Sequence, residues 1–391
     1  GGKVVGRLSD HTNTLHFLQL YGKAQYRGFR LSVGRFPETI GATQPALSMG
    51  SMMVSRNAPL VPKVKLFTPS YVDVPFTDGH LQVRGRWADG LLGKNRTVER
   101  PKLHQKTFYL RFNVGPFAGS GGLVQNTVWG GKGQSNKLID YLHLFVGSQA
   151  GTEQDPNRVG NTVAAYDFAL QYALDDWRLQ ATRLFYLEDT VSMRFRSPWD
   201  GMWSLGFRRT NGRGWINGVL YEHMNTIKQD SPPGVPRGRA SYYNHRIFES
   251  GWTYENTVLG NPLIMFSPTE NRVVNNMIVA HHLGIKGAPA DELGYTVRLT
   301  YSRNYGVCED RIITGKCKIE ASDPIPPNQE VRPRGELRED QYSLFGEIRY
   351  RLPDAPALQL VGSVAADVGK YYGRRWGLRI GLQWDGSVSL N

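Results

Sequence analysis

The chain has 391 residues, among them 44 Gly, 19 Tyr, 16 Phe and 9 Trp, and its 47 basic against 34 acidic residues give a formal charge of +13. Apolar runs never exceed four residues, which excludes a membrane-crossing helix of about 20 apolar residues but not a membrane strand of about 9–11, so a mean hydropathy of −0.42 is no argument for solubility. The basic residues are spread over strand faces rather than massed on one helix or tail, and no nucleic-acid motif accompanies them, so the charge points to anionic lipid or an acidic ligand and not to nucleic acid.

In chain order, the first feature is a hairpin: Leu15 to Tyr26 and Phe29 to Phe36 flank Arg27-Gly28, with glycine where positive φ is wanted. Within it Leu18, Leu20, Gly22, Ala24 and Tyr26 share one face, because successive strand side chains point to opposite sides. A long excursion, Gly41 to Asp78, follows; its apolar Met52, Met53, Val54, Leu60, Val61, Leu66 and Phe67 predict either packing inside a lumen or an external loop held by turns. Alternation resumes at Leu81-Gln82-Val83-Arg84-Gly85-Arg86-Trp87 and again in Tyr166, Phe168, Leu170, Tyr172 and Leu174, which turn at Asp175-Asp176 and return through Trp177, Leu179 and Ala181. Trp203, Leu205 and Phe207 lead through Asn211 to Gly214 into a further strand, and a polar stretch runs from Asn225 to Glu255. A second one, Val307 to Glu339, holds the only cysteines, Cys308 and Cys317; a disulfide there fits an oxidising compartment, the alternative being two free thiols, and no zinc pattern surrounds them. The chain ends on Tyr342 to Tyr350, the turn Pro353 to Pro356, Leu358 to Val364, and Trp376 to Trp384.

This alternation fits a soluble sheet with one buried face or a barrel whose apolar side chains meet lipid. Two features favour the barrel. Short turns alternate with long loops, as expected of opposite rims, and Tyr26, Trp87, Tyr186, Trp203, Tyr301, Tyr350 and Trp384 sit near strand ends, where aromatic girdles form. The expected fold is all-β: a single transmembrane antiparallel barrel of roughly 16–18 strands over residues 1–391 with long loops at one rim, residues 41–78 being a candidate inward-packed loop.

The order Ser55-Arg56-Asn57-Ala58-Pro59, Pro62-Lys63-Val64, Val74-Pro75-Phe76, Asp78-Gly79, Asp89-Gly90-Leu91, Leu103-His104-Gln105-Lys106 and Trp129-Gly130-Gly131, with Tyr21-Gly22, Gly34-Arg35 and Gly41 upstream, resembles the Wzi-type capsule-assembly family. The resemblance is concentrated in the first third of the chain. It implies an integral outer-membrane β-barrel of Gram-negative bacteria that associates with or anchors surface polysaccharide in the manner of a lectin, without making the polymer. It also implies a helical N-terminal portion, whereas this chain enters its first predicted strand by about Leu15, so that portion is expected to be absent or not included.

Polar strand faces carry Arg84, Arg86, Arg111, Arg194, Arg196, Arg208, Arg298, Arg349 and Arg379. Pointing inward, their guanidinium forks suit carboxylate or phosphate groups of an acidic polysaccharide or a small anion. The competing reading pairs them with luminal acids, Glu347 and Asp367 being candidates. Tyr242, Tyr243, Trp252 and Tyr254, near Asn244 and Glu255, are candidates for stacking on sugar rings or for simple girdle positions. Among acid–base candidates, Asp175-Asp176 reads as a turn and His281-His282 point to opposite sides of the wall, leaving only His104 and Glu309-Asp310; no nucleophile, metal or phosphate motif accompanies them, so no enzyme, metal or cofactor is expected. The readings carried forward are a polysaccharide-binding or assembly barrel in contact with outer-membrane lipid, an anion-selective porin, and a barrel subunit of a larger complex with protein partners.

Overall fold

The computed structural model describes residues 2–7, 14–146, 159–188, 195, 197–230, 240–307 and 338–384. Arg194, Arg196, Glu309-Asp310 and the Cys308–Cys317 pair lie outside the described residues.

The wall strands follow one another as a meander. They are β1 (Gly2–Arg7), β2 (Thr14–Tyr26), β3 (Phe29–Arg35), β4 (Lys63–Phe67), β5 (Val72–Asp73), β6 (Leu81–Leu91), β7 (Lys102–Val114) and β8 (Phe117–Trp129). A helix, α1 (Leu138–Val146), precedes β9 (Gly160–Ala173), β10 (Trp177–Leu187), β11 (Gly201–Arg209) and β12 (Gly214–Asn225). Two short ribbons interrupt the wall, β13 (Thr253–Tyr254) with β14 (Thr257–Val258), and β15 (Met265–Ser267) with β16 (Arg272–Asn275). The wall resumes with β17 (Ile278–Ala288), β18 (Leu293–Asn304), β19 (Glu339–Leu352), β20 (Ala355–Gly369) and β21 (Arg375–Trp384). Among the described residues seventeen strands form one sheet, within the range expected from the sequence, and each pairs antiparallel with its wall neighbours. β4 and β5 lie along the same edge of β6, at its opposite ends.

Side-chain alternation sets the two faces. On β21, Trp376, Leu378, Ile380, Leu382 and Trp384 are exposed on one side, two aromatics bracketing three aliphatics. At about 3.3 Å per residue the two tryptophans stand roughly 26 Å apart, comparable with the apolar band of about 25 Å on membrane barrels. Tyr342, Leu344, Ile348 and Tyr350 on β19 repeat the pattern. Near the long-loop rim, Tyr221, His281, Tyr301 and Tyr342 form an outward ladder, with ring centroids 6.3, 6.4 and 4.9 Å apart in turn. His282 faces the other way, into the lumen, as period-two alternation requires. No helix among the described residues is long and apolar enough to cross a membrane; the crossing is made by strands.

The turns fall where expected, but at Arg27-Gly28 the left-handed residue is Arg27 (φ 49°) and not the glycine. β2–β3, β7–β8, β9–β10 and β19–β20 join tightly at one rim, and the long connections share the other. Three further features differ from the sequence reading. Lys63–Phe67 and Val72–Asp73 belong to the wall, so the inward segment spans residues 36–62 and not 41–78; Val64 and Leu66 face outward while Lys63 and Lys65 are buried inside, the same alternation as elsewhere. Tyr186 is no girdle residue but is buried within the lumen. Helix α1 was not anticipated, because nine residues are too few for a clear helical period.

Candidate functional site

The lumen is the site, and its outer half is filled. Residues 36–62 turn inward after β3, and residues 226–230 and 240–277 do so between β12 and β17. Met52, Met53, Val54, Tyr242, Tyr243, Phe248 and Trp252 from these segments pack against inward residues of the wall, including Leu103, Val128, Leu184, Met202, Met224 and Ile278, as one apolar core. The two segments also bond to each other. Trp252 Nε1 donates to the Met53 carbonyl oxygen (2.8 Å), Asn261 Nδ2 to that of Gly50 (2.6 Å), Ser55 N to that of Leu259 (2.9 Å), and the Tyr243 hydroxyl to that of Met52.

Polar groups pin the first segment around the ring. At its start, Glu38 is buried beside three cations: Lys63 Nζ bonds to Oε1, while Lys65 Nζ and Arg86 Nη1 lie 3.3 and 3.5 Å from Oε2. Burial alone would raise the Glu38 pKa, but Lys63, Arg86 and Lys65 outweigh it and hold the carboxyl at about 2. Further on, Ala42 N and the Tyr109 hydroxyl both donate to Asp167 Oδ2 at 2.7 Å. Met49 N donates to Glu222 Oε2 (2.7 Å). His282 Nε2 donates to the Leu47 carbonyl oxygen (2.6 Å), leaving Nδ1 to accept from the Thr300 hydroxyl (2.7 Å). Leu47 approaches so closely at β17 that a Cβ on Gly284 would stand 2.5 Å from its carbonyl oxygen. A segment that bonds to β9 at Ala42, to β17 at Leu47 and to β12 at Met49 can only lie inside a sheet that curves around it.

Below this plug, toward the tight-turn rim, is a cavity of about 380 Å³. Its roof is residues 41–47, and Arg84, Arg111, Arg208 and Lys286 enter from four strands, with Gln171 and Gln180 between them. Arg84 lies over the rings of Tyr71 and Tyr109, each 4.9 Å from the guanidinium carbon, and Arg111 lies 5.3 Å over Tyr71. Among the described residues none of these four cations has a carboxylate within 4 Å. The chemistry on offer is therefore a convergent set of partly exposed cationic donors, two of them, Arg84 and Arg111, backed by aromatic rings, and it suits an anion.

The arginines expected from sequence divide accordingly. Arg84, Arg111 and Arg208 meet in the cavity. Arg86 belongs to the Glu38 cluster. Arg349 and Arg379 both bond to Glu347 at 2.8 Å, the competing structural reading, and Arg298 stacks on Phe345 with 4.1 Å to the ring centroid. The sequence reading missed Lys286, Asp167 and Glu222, although their inward register in otherwise apolar strands was a usable signal.

The proposed stacking rings require correction. Tyr242, Tyr243 and Trp252 are 0 % exposed and Tyr254 is buried, so none presents a face to a sugar. Each uses its polar tip within the plug or against it; Tyr242 Oη donates to Asp200 Oδ2 at 2.6 Å. Burial pushes the Asp200 carboxyl up to about 6 despite that bond. His104 is likewise no luminal acid–base group: it faces outward, against Asp89.

The family described as Capsule assembly protein Wzi matches residues 3–264. A solved Escherichia coli structure, Wzi, described as an outer-membrane protein involved in group 1 capsule assembly and as a carbohydrate-binding β-barrel, is 14 % identical, with TM-score 0.63 over 96 % of this chain and 71 % of that one. A loop L8 deletion variant of OmpT from Vibrio cholerae aligns at 11 % identity and TM-score 0.38 over 98 % of this chain and 84 % of that one. OccD3 of Pseudomonas aeruginosa aligns at 9 % identity and TM-score 0.35 over 95 % and 78 %. A search of curated proteins found no match.

Proposed function

The chain belongs to the Wzi capsule assembly protein family, an integral outer-membrane β-barrel, and from that premise we propose that it binds surface polysaccharide non-catalytically, as an assembly or anchoring element and not as a pore. The description of the Escherichia coli relative as carbohydrate-binding supports this reading. The single observation that carries it is the plug: an apolar core closed across the outer half of the lumen, fixed to the wall at Glu38, Asp167, Glu222 and His282. Diffusion channels keep that space wet. The cavity below the plug, with Arg84, Arg111, Arg208 and Lys286, is the part of the lumen best suited to the carboxylate or phosphate of an acidic saccharide.

The test is threefold in one strain background. A deletion strain carrying the wild-type gene should retain surface polysaccharide, and the purified protein should bind acidic saccharides while giving no steady open-pore current in planar bilayers. Normal polysaccharide retention in the deletion strain, or a large anion-selective current from the wild-type protein, overturns the reading.

A further inference from the structure

Helix α1 lies on the outside of the barrel, over strand positions that would otherwise put polar groups against hydrocarbon. Asp89, His104 and Lys106 all point outward: Asp89 pairs directly with His104 and Lys106 with Trp87 across β6 and β7, while the alternating pair Ala88 and Gln105 points in. Tyr141 Oη donates to Asp89 Oδ2 (2.7 Å) and accepts from Trp87 Nε1 (3.2 Å), and His104 Nδ1 stands 2.9 Å from Asp89 Oδ1. Lys106 Nζ bonds to the Leu144 carbonyl oxygen (3.0 Å) and to that of Phe145, satisfying carbonyls that the helix end leaves free. With Tyr141 and Leu144 turned to the wall, α1 leaves Leu138, Ile139, Leu142 and Val146 exposed.

Beside the helix runs an outward groove of about 510 Å³, floored by Val33, Val64 and Leu91 and walled by Trp129 and Tyr141. Lys102 stands at its side near the long-loop rim, its Nζ 4.5 Å over the Trp129 ring and without a carboxylate partner among the described residues. We propose that this groove seats one acyl chain of an anionic outer-leaflet lipid, with Lys102 meeting the headgroup phosphate. Two observations choose lipid over protein. The floor continues into the lipid-facing band through Leu31 and Leu66, and the order of polarity, a cation toward the rim and an apolar trough along the wall, is that of an anionic lipid standing in its leaflet.

The full chain is reconstituted in phosphatidylcholine vesicles doped with lipid A, extracted in a mild maltoside detergent, and examined by native mass spectrometry. The wild-type protein should retain lipid A in preference to phosphatidylcholine. Lys102→Glu should lower lipid A retention about fivefold or more, the effect of one surface cation. Val64→Trp fills the groove without changing charge and should lower retention of both lipids, so it carries the test if the charge variant does not fold; heat-modifiable mobility in gel electrophoresis reports folding. Equal lipid A retention by the wild type and both variants overturns the proposal, as does a preference for phosphatidylcholine. A lipid-free wild-type dimer in the same spectra assigns the face to a second copy and overturns it too.

Discussion

His282 Nε2 lies 2.6 Å from the Leu47 carbonyl oxygen, a bond between a wall strand and the inward segment that entered the lumen 235 residues earlier. It fixes the imidazole tautomer, since a carbonyl can only accept, and the Thr300 hydroxyl completes the ring's pairing. His282→Ala strands a buried carbonyl and is expected to cost about 1–3 kcal/mol. Denaturant unfolding of the detergent-solubilised protein measures that loss, and planar-bilayer recording should show more frequent transient openings than in the wild type.

Glu38 predicts an acid dependence. Its folded pKa, about 2, lies below the ordinary 4.5, so its contribution is fully present above pH 4.5 and is lost as pH falls toward 2. The shift corresponds to about 3 kcal/mol. Unfolding measured across that interval should show the wild type losing stability that Glu38→Gln does not lose. At neutral pH the variant should be about 3–5 kcal/mol less stable, because Lys63, Lys65 and Arg86 are then left buried without their counter-charge.

Among the described residues the cavity cations make no ion pairs, so replacing them should change ligand binding and leave folding intact. Arg84→Gln, Arg111→Gln, Arg208→Gln and Lys286→Gln are each expected to weaken acidic-saccharide binding about tenfold. Calorimetric titration with a uronate-containing oligosaccharide measures it. Arg349→Gln and Arg379→Gln, which disturb the Glu347 pairs and the bond from Arg379 Nε to Ser363 Oγ (3.2 Å), should leave that affinity unchanged.

Tyr242→Phe separates a buried role from a sugar-facing one. The Asp200 carboxyl is raised to about 6 against an ordinary 3.8, so the folded state holds its proton more tightly and this contribution to stability declines as pH rises from about 3.8 to 6. Loss of the 2.6 Å bond removes a group that favours the charged form, so the decline should extend to higher pH. The variant is expected to be about 1–3 kcal/mol less stable above neutrality, with saccharide binding unaltered. Weakened binding by a fully folded Tyr242→Phe protein would return this ring to the ligand.

Much of the wall was legible because one rule governs it. Period-two alternation places Tyr342, Leu344, Ile348 and Tyr350 outside and sends His281 and His282 to opposite faces, whereas the apolar Met52 and Met53 in a non-strand stretch were compatible with an inward-packed segment and with an external loop alike, and only the fold shows them buried. What alternation does not encode is the partner across the lumen. Arg84 and Arg379 have the same local pattern, yet one lines a cavity with no carboxylate within 4 Å among the described residues and the other reaches Glu347 on β19 from β21, a contact that strand phase does not reveal. Tyr242 and Trp252 read as exposed loop aromatics because nothing local reveals that their loop turns inward. Lys63–Phe67 was read as loop because its lysines hide an otherwise ordinary strand, and those lysines are inside only because Glu38 is there to meet them.

The bond from Trp252 to Met53 joins residues 199 positions apart, and its acceptor segment precedes most of the wall. The methionine-bearing stretch therefore lacks this partner until the second segment, which follows β12 in the chain, has been brought into the lumen. Contacts of such high sequence separation form slowly. Sealing of the interior is thus expected to be slow, and a chain truncated after β12 would lack the segment that covers Met52 and Met53 and display them to whatever chaperone or protease patrols the periplasm.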